Sequence, residues 1–170
     1  MNNIMLDLET MGKKSNAAII SIGAARFDFD SGIKDTFDCI VDLQSCLDME
    51  FSVDSSTIMW WLSQEESAKT EFQKIGIHII DALHSFAGWA GENVILWGNG
   101  VAFDNVILGN AYQKCDIEKP WKYYNDRCYR TIKNIYFEIK HTRKNTKHIA
   151  VNDAIYQAEH LIKIFRLKKM

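Results

Sequence analysis

What this chain has little of narrows the field before any motif is read. A single proline and nine glycines in 170 residues leave no stretch suited to a flexible interdomain linker. No run of about 18 apolar residues occurs, which excludes a membrane-spanning helix. The first residues lack the basic-then-apolar pattern of a signal peptide, so a cytoplasmic setting is expected. The cysteines, Cys39, Cys46, Cys115 and Cys128, form no Cys-x-x-Cys pair and no Cys/His cluster with zinc spacing. Reduced thiols are therefore expected. The net charge of −2 lacks the basic excess that usually marks a nucleic-acid binder. An acidic site would subtract from that sum, so the distribution of charge matters more than its total.

What remains is an ordinary globular composition, long enough for a sizeable core, and residues 1–170 are expected to form one domain. The chain is organised around its first strand, Ile4-Met5-Leu6-Asp7-Leu8-Glu9-Thr10. Side chains alternate faces along a strand, so Asp7 and Glu9 point one way while Leu6 and Leu8 enter a core. Adjacent carboxylates repel, and a hard divalent cation such as Mg²⁺ or Mn²⁺ is their usual partner. Asp-x-Glu alone is common by chance, and a solvated strand face would read the same.

Downstream, residues 11–16 form a polar turn, and residues 18–29 and 37–43 read as two further strands about a turn at Asp30-Ser31-Gly32. Short connections make the three an antiparallel meander. Ser56 to Leu62 reads as a short helix with a Ser/Thr cap. Apolar residues at Ile79, Ile80, Leu83, Phe86, Ala87 and Ala90 have helical spacing, and Val94-Ile95-Leu96-Trp97 is a buried strand. Helices are expected over residues 103–113, 126–138 and 149–166, with a basic loop over 140–147. The result is an α/β fold: an antiparallel three-stranded meander followed by parallel strands, with helices on both faces. Ligands bind such sheets where connectivity changes direction.

Asp104 begins the helix that follows the fourth strand, where it can reach back over the sheet edge; a plain helix N-terminal acid would look alike. Asp153 follows His148 by five residues, about 140° apart on a continuous helix. The two can share a site only if His148 lies in the loop and Asp153 in the first turns. Each is unremarkable singly; their ordered joint occurrence is not.

These motifs resemble the DEDDh 3′→5′ exonucleases of the RNase H-like fold. The first motif stands as Asp7-Leu8-Glu9-Thr10, the second as Asn99-Gly100-Val101-Ala102-Phe103-Asp104, and the third as His148-Ile149-Ala150-Val151-Asn152-Asp153-Ala154, continuing to Gln157-Ala158. The paired Trp60-Trp61 and the run Arg127-Cys128-Tyr129-Arg130-Thr131 resemble the phage-encoded, exonuclease-VIII-like branch. Ile149, Val151 and Asn152 depart from the common third motif without replacing an expected ligand.

The resemblance implies two Mg²⁺ or Mn²⁺ ions, one held by Asp7, Glu9 and Asp153 and the other by Asp7 and Asp104, with His148 as general base. It implies that Thr10, Met11, Asn99 and Phe103 lie against the terminal nucleotide, although Phe103 is as well suited to a core. One of Trp60 and Trp61 is expected to be buried and the other to face the groove. Arg127, Arg130 and the basic loop suit phosphate contacts or a solvated face. The implied reaction releases nucleoside 5′-monophosphates from single-stranded 3′ ends, with DNA preferred on the phage-type resemblance. An exoribonuclease, an endonuclease of the same fold and a catalytically idle binding module are the alternatives. No membrane partner is expected, and the oligomeric state, a homodimer included, stays open.

Overall fold

The computed structural model describes residues 2–143 and 147–169. Its centre is a five-stranded sheet in the order β3-β2-β1-β4-β5. The strands are β1 (Asn2–Thr10), β2 (Ile19–Asp28), β3 (Gly32–Ile40), β4 (Val94–Gly98) and β5 (Asp126–Cys128). The first three pair antiparallel, whereas β4 joins β1, and β5 joins β4, in parallel. Short turns dictate the meander, and crossovers carrying helices dictate the parallel half.

The helices are α1 (Leu43–Asp48), α2 (Ser55–Leu62), α3 (Glu66–Lys69), α4 (Ile79–Ala90), α5 (Asp104–Lys114), α6 (Tyr129–Ile135) and α7 (Ala150–Lys168). The period-2 alternation of β1 divides them between two cores. Ile4, Leu6 and Leu8 pack with Leu83 and Phe86 of α4 and with Ile107 and Leu108 of α5. Met5 packs on the other face with Ala158 and Leu161 of α7 and with Tyr129 of α6. Asp7 and Glu9 continue the Met5 row, so they emerge on the α7 side.

The third strand departs from expectation, running Gly32–Ile40 rather than over residues 37–43. It is an edge strand whose Lys34, Asp35 and Asp38 hide the alternation, as charge on a sheet edge commonly does. Asp42 then caps α1, accepting from the N–H groups of Gln44 and Ser45. The helix expected over 126–138 likewise begins with a strand, since Asp126 to Cys128 pair with Leu96 to Gly98. Asp126 fixes that edge by accepting from Asn105 at 2.7 Å and from Trp121 at 3.1 Å. The Asn105 contact and the pairing with β4 join residues far apart in sequence, which local pattern does not announce.

Candidate active site

Three segments converge where the sheet changes direction. β1 carries Asp7 and Glu9. The parallel register puts Leu6 beside Gly98, so the loop leaving β4 passes the last residues of β1. Asp104, at the first turn of α5, accepts from the Leu8 N–H at 3.2 Å. The third segment is α7, brought close by a missing side chain. Gly23 pairs opposite Asp7, and a Cβ there would lie 2.1 Å from the Ala150 carbonyl carbon and the Val151 nitrogen. The start of α7 therefore rests on bare backbone, which sets Asp153 over Asp7 and Glu9.

Asp7, Glu9, Asp104, His148 and Asp153 line one cavity of about 390 Å³, together with Asn99 and Phe103. Gln157, one turn beyond Asp153, donates to Asp7 Oδ1 at 2.7 Å. His148 lies outside α7, as its spacing from Asp153 requires, with φ of 60°, and its N–H donates to Asp153 Oδ2 at 2.9 Å. The Trp60 ring meets the imidazole edge-to-face at 5.0 Å. Among the described residues, Glu9, His148 and Asp153 each bring one ligand atom to within 4.8 Å of the others.

Burial makes Asp7, Glu9 and Asp104 poor anions, and crowding adds to it at Asp7 and Glu9. Asp7 is pushed well above the usual carboxylate range by burial, then by Asp104, Glu9 and Asp153, and Gln157 offsets part of this. Glu9 is raised to about 8 by burial and by Asp153 and Asp104. Asp104 is raised to about 6 by burial, against the pull of three backbone N–H groups and Arg130. Crowded carboxylates of this kind are relieved by protons or by cations. A cation already meets one of them: the Arg143 guanidinium pairs with Asp153 Oδ1. The donor set is all oxygen plus one imidazole, which suits Mg²⁺ or Mn²⁺.

A second cavity, about 560 Å³, shares Leu8, Glu9, Phe103 and Arg130 with the first and adds Thr10, Thr57, Trp60 and Trp61. The tryptophans divide: Trp61 is buried and donates to the Thr10 carbonyl at 3.0 Å, while Trp60 is 42% exposed. Thr57 Oγ1 and Asn99 Oδ1 are buried atoms with no hydrogen-bond partner among the described residues. Met11 is not brought in. It packs half-buried against the cluster of Ile20 and Trp61. Phe103 lines both cavities and also packs against the α4–α5 core. Arg130 enters, its guanidinium seated against Gly100, whose φ of 113° and bare α carbon leave the room. Arg127 is turned back onto the carbonyls of Tyr124 and Asp126. Residues 144–146 of the basic loop lie outside the described residues, but Arg143 and Lys147 line the first cavity.

Tyr156 and Lys133 line the cavity without having been singled out from the sequence, Gln157 was quoted with the third motif but given no role, and Arg143 was named only as part of the basic loop. Gln157 had a signal, its i+4 spacing from Asp153 on one helix face.

The family described as the 3′-5′ exoribonuclease Rv2179c-like domain matches residues 2–165. The chain belongs to this family. It is also similar to an exodeoxyribonuclease of Enterobacteria phage T4, 26% identical over 164 residues, covering 77% of this chain and 70% of that one. Among solved structures, it resembles the nuclease domain of 3′hExo, a DEDDh family member bound to rAMP. That match has a TM-score of 0.63 at 11% identity and covers 99% of this chain and 92% of that one. E. coli Exonuclease I with a dA16 oligonucleotide matches with a TM-score of 0.66 at 12% identity, over 98% of this chain and 41% of that one. Identities this low speak for the fold alone, and the fold is that of RNase H-like DEDDh exonucleases. Membership of the Rv2179c-like family makes the protein a 3′→5′ exonuclease. No helix among its described residues is long and apolar enough to cross a membrane.

Proposed function

We propose that residues 1–170 act as one exonuclease domain that uses two divalent ions, Mg²⁺ or Mn²⁺, to shorten single-stranded DNA from its 3′ end. The observation that carries this reading is the meeting of four acids and a histidine, from three separate stretches, in one cavity. Asp7, Glu9 and Asp153 are the residues to hold one ion, and Asp7 and Asp104 the other. Bound there, the ions supply an activated nucleophile and neutralise charge at the phosphate. His148 accepts the proton of the attacking water, Gln157 keeps Asp7 oriented, and Trp60 and Phe103 offer apolar surface for the terminal base. The Thr10 region closes the pocket behind a free 3′ end, which is why internal phosphates are rejected.

DNA is supported by the T4 relative's name, and that relative is itself phage-encoded. RNA is the second reading, supported by the family's description as exoribonuclease. One contact to a 2′-hydroxyl separates the two. The test is a time course on 5′-labelled DNA and RNA strands of one sequence, with either ion, beside circular single strands. Stepwise shortening that Asp7→Asn abolishes is expected, with circles intact. Linearised circles would replace the exonuclease reading with an endonuclease.

A further inference from the structure

Arg143 belongs to neither the acids nor the histidine, yet it lines the same cavity and meets one of those acids. Its guanidinium pairs with Asp153 Oδ1, and the other oxygen of that carboxylate is taken by the His148 N–H at 2.9 Å. One oxygen of a residue proposed to hold metal thus accepts from the backbone, and the other faces the Arg143 cation as an ion pair without a hydrogen bond between them. The same guanidinium lies 4.3 Å from the centre of the Tyr156 ring, one turn further along α7.

The segment leading to Arg143 is delivered by that same helix. Three successive carbonyls accept from α7: Ile139 from His160 at 2.7 Å, Lys140 from Lys163 at 2.5 Å and His141 from Tyr156 at 3.2 Å. His160 Nδ1 is taken by the Tyr129 hydroxyl at 2.7 Å, which leaves Nε2 as the donor to Ile139. Burial holds that imidazole below its ordinary pKa, favouring the neutral form this arrangement needs. Arg143, two residues past the last anchored carbonyl, is therefore aimed at Asp153 by α7 itself.

We propose that Arg143 is a built-in counter-cation: it holds Asp153 while metal is absent, yields that oxygen to the incoming divalent ion, and then takes a substrate phosphate. Two cations on one carboxylate oxygen repel each other, and the other oxygen is committed to His148, so exchange is the arrangement that satisfies both. A guanidinium keeps its charge at any working pH, and its fork of N–H donors fits phosphate as it fits carboxylate. The Tyr156 ring gives it a support that does not depend on Asp153. In the metal-free protein the same contact relieves part of the crowding among the acids. This inference rests on the proposed metal role of Asp153.

The test is Mn²⁺ titration calorimetry on the metal-free full chain, comparing wild type with Arg143→Gln and Lys147→Gln. Lys147 lines the same cavity, so its variant removes an equal charge from the same field. Arg143→Gln should tighten Mn²⁺ binding about fivefold or more, and Lys147→Gln by less than about twofold. In Ca²⁺, fluorescent dT8 and rU8 strands should bind Arg143→Gln about tenfold more weakly. Unchanged or weaker Mn²⁺ binding in Arg143→Gln overturns the exchange, and so does equal tightening in the two variants. Undiminished strand binding overturns the phosphate role. If wild-type protein itself takes up no Mn²⁺, the failure lies in the metal reading of the site, and the exchange falls with it.

Discussion

The backbone of His148 sits at φ of 60°, a left-handed conformation that costs a non-glycine residue about 1–2 kcal/mol. The bond to Asp153 and the edge of Trp60 hold it there, and such held residues cluster at functional sites. Two roles are open to its ring on geometry, since it lies with Glu9 and Asp153 close enough to ligate. His148→Asn separates them, because asparagine tolerates this backbone but is no base near neutral pH. Turnover should fall by about 10²–10⁴ while Mn²⁺ affinity stays within about threefold, measured by single-turnover kinetics and calorimetry. Affinity lost in step with turnover would make His148 a ligand instead. Gln157→Leu should weaken Mg²⁺ binding at pH 7 by up to about tenfold, because Asp7 loses the donor that favours its charged form. Raising the pH should restore much of that loss in the same titration. The acids and His148 were legible because motif spacing survives in sequence. The pairing of Arg143 with Asp153 was not, since an arginine in a basic loop carries no periodicity that says which carboxylate it will meet.

At the scale of elements, α7 does the positioning. One of its faces meets the sheet at Gly23, another holds the carbonyls of residues 139–141, and its first turns carry Asp153 and Gln157. Gly23→Ala puts a methyl carbon into the Ala150–Val151 peptide, so the helix must lift. Stability in urea should drop by about 1–3 kcal/mol, and turnover should fall more than the loss of folded protein accounts for. Gly88→Ala is the control, since the added methyl meets nothing within 4 Å and lies within helix α4. A wild-type turnover in Gly23→Ala would mean that α7 is located by its other contacts. The long, amphipathic or wholly buried elements announced themselves: β1, β2, α4, β4, α5 and α7 all lie within two residues of expectation. β3 and β5 did not. One is an edge strand whose charges erase alternation, and the other is three residues long and exists because β4 offers it a partner. Gly23 is legible only in hindsight, because a glycine inside a strand signals close approach without saying of what.

For the whole molecule, the cluster of acids sets how stability responds to pH and metal. Asp7, Glu9 and Asp104 all have folded-state pKa values raised above their unfolded ones, Glu9 from 4.5 to about 8 and Asp104 from 3.8 to about 6. Between those limits the folded chain binds more protons than the unfolded one, so stability must fall as pH rises. The metal-free protein should be firmest below about pH 3.8 with respect to these groups, and should lose that advantage through about pH 8 as Glu9 ionises. A divalent ion inverts the requirement, because it binds the ionised acids and only in the folded state. The rise in melting temperature on adding Mn²⁺ should therefore be small at pH 5 and grow steadily towards pH 8. Asp7→Asn removes one of the crowded charges, so in chelator it should melt higher than wild type at pH 8, while gaining much less from Mn²⁺. Differential scanning fluorimetry at fixed ionic strength, with chelator or Mn²⁺ at each pH, reads all of these trends. A chelator profile that rises from pH 5 to 8, or an equal Mn²⁺ response in Asp7→Asn, would mean that other groups govern the fold's titration and that the ions bind elsewhere.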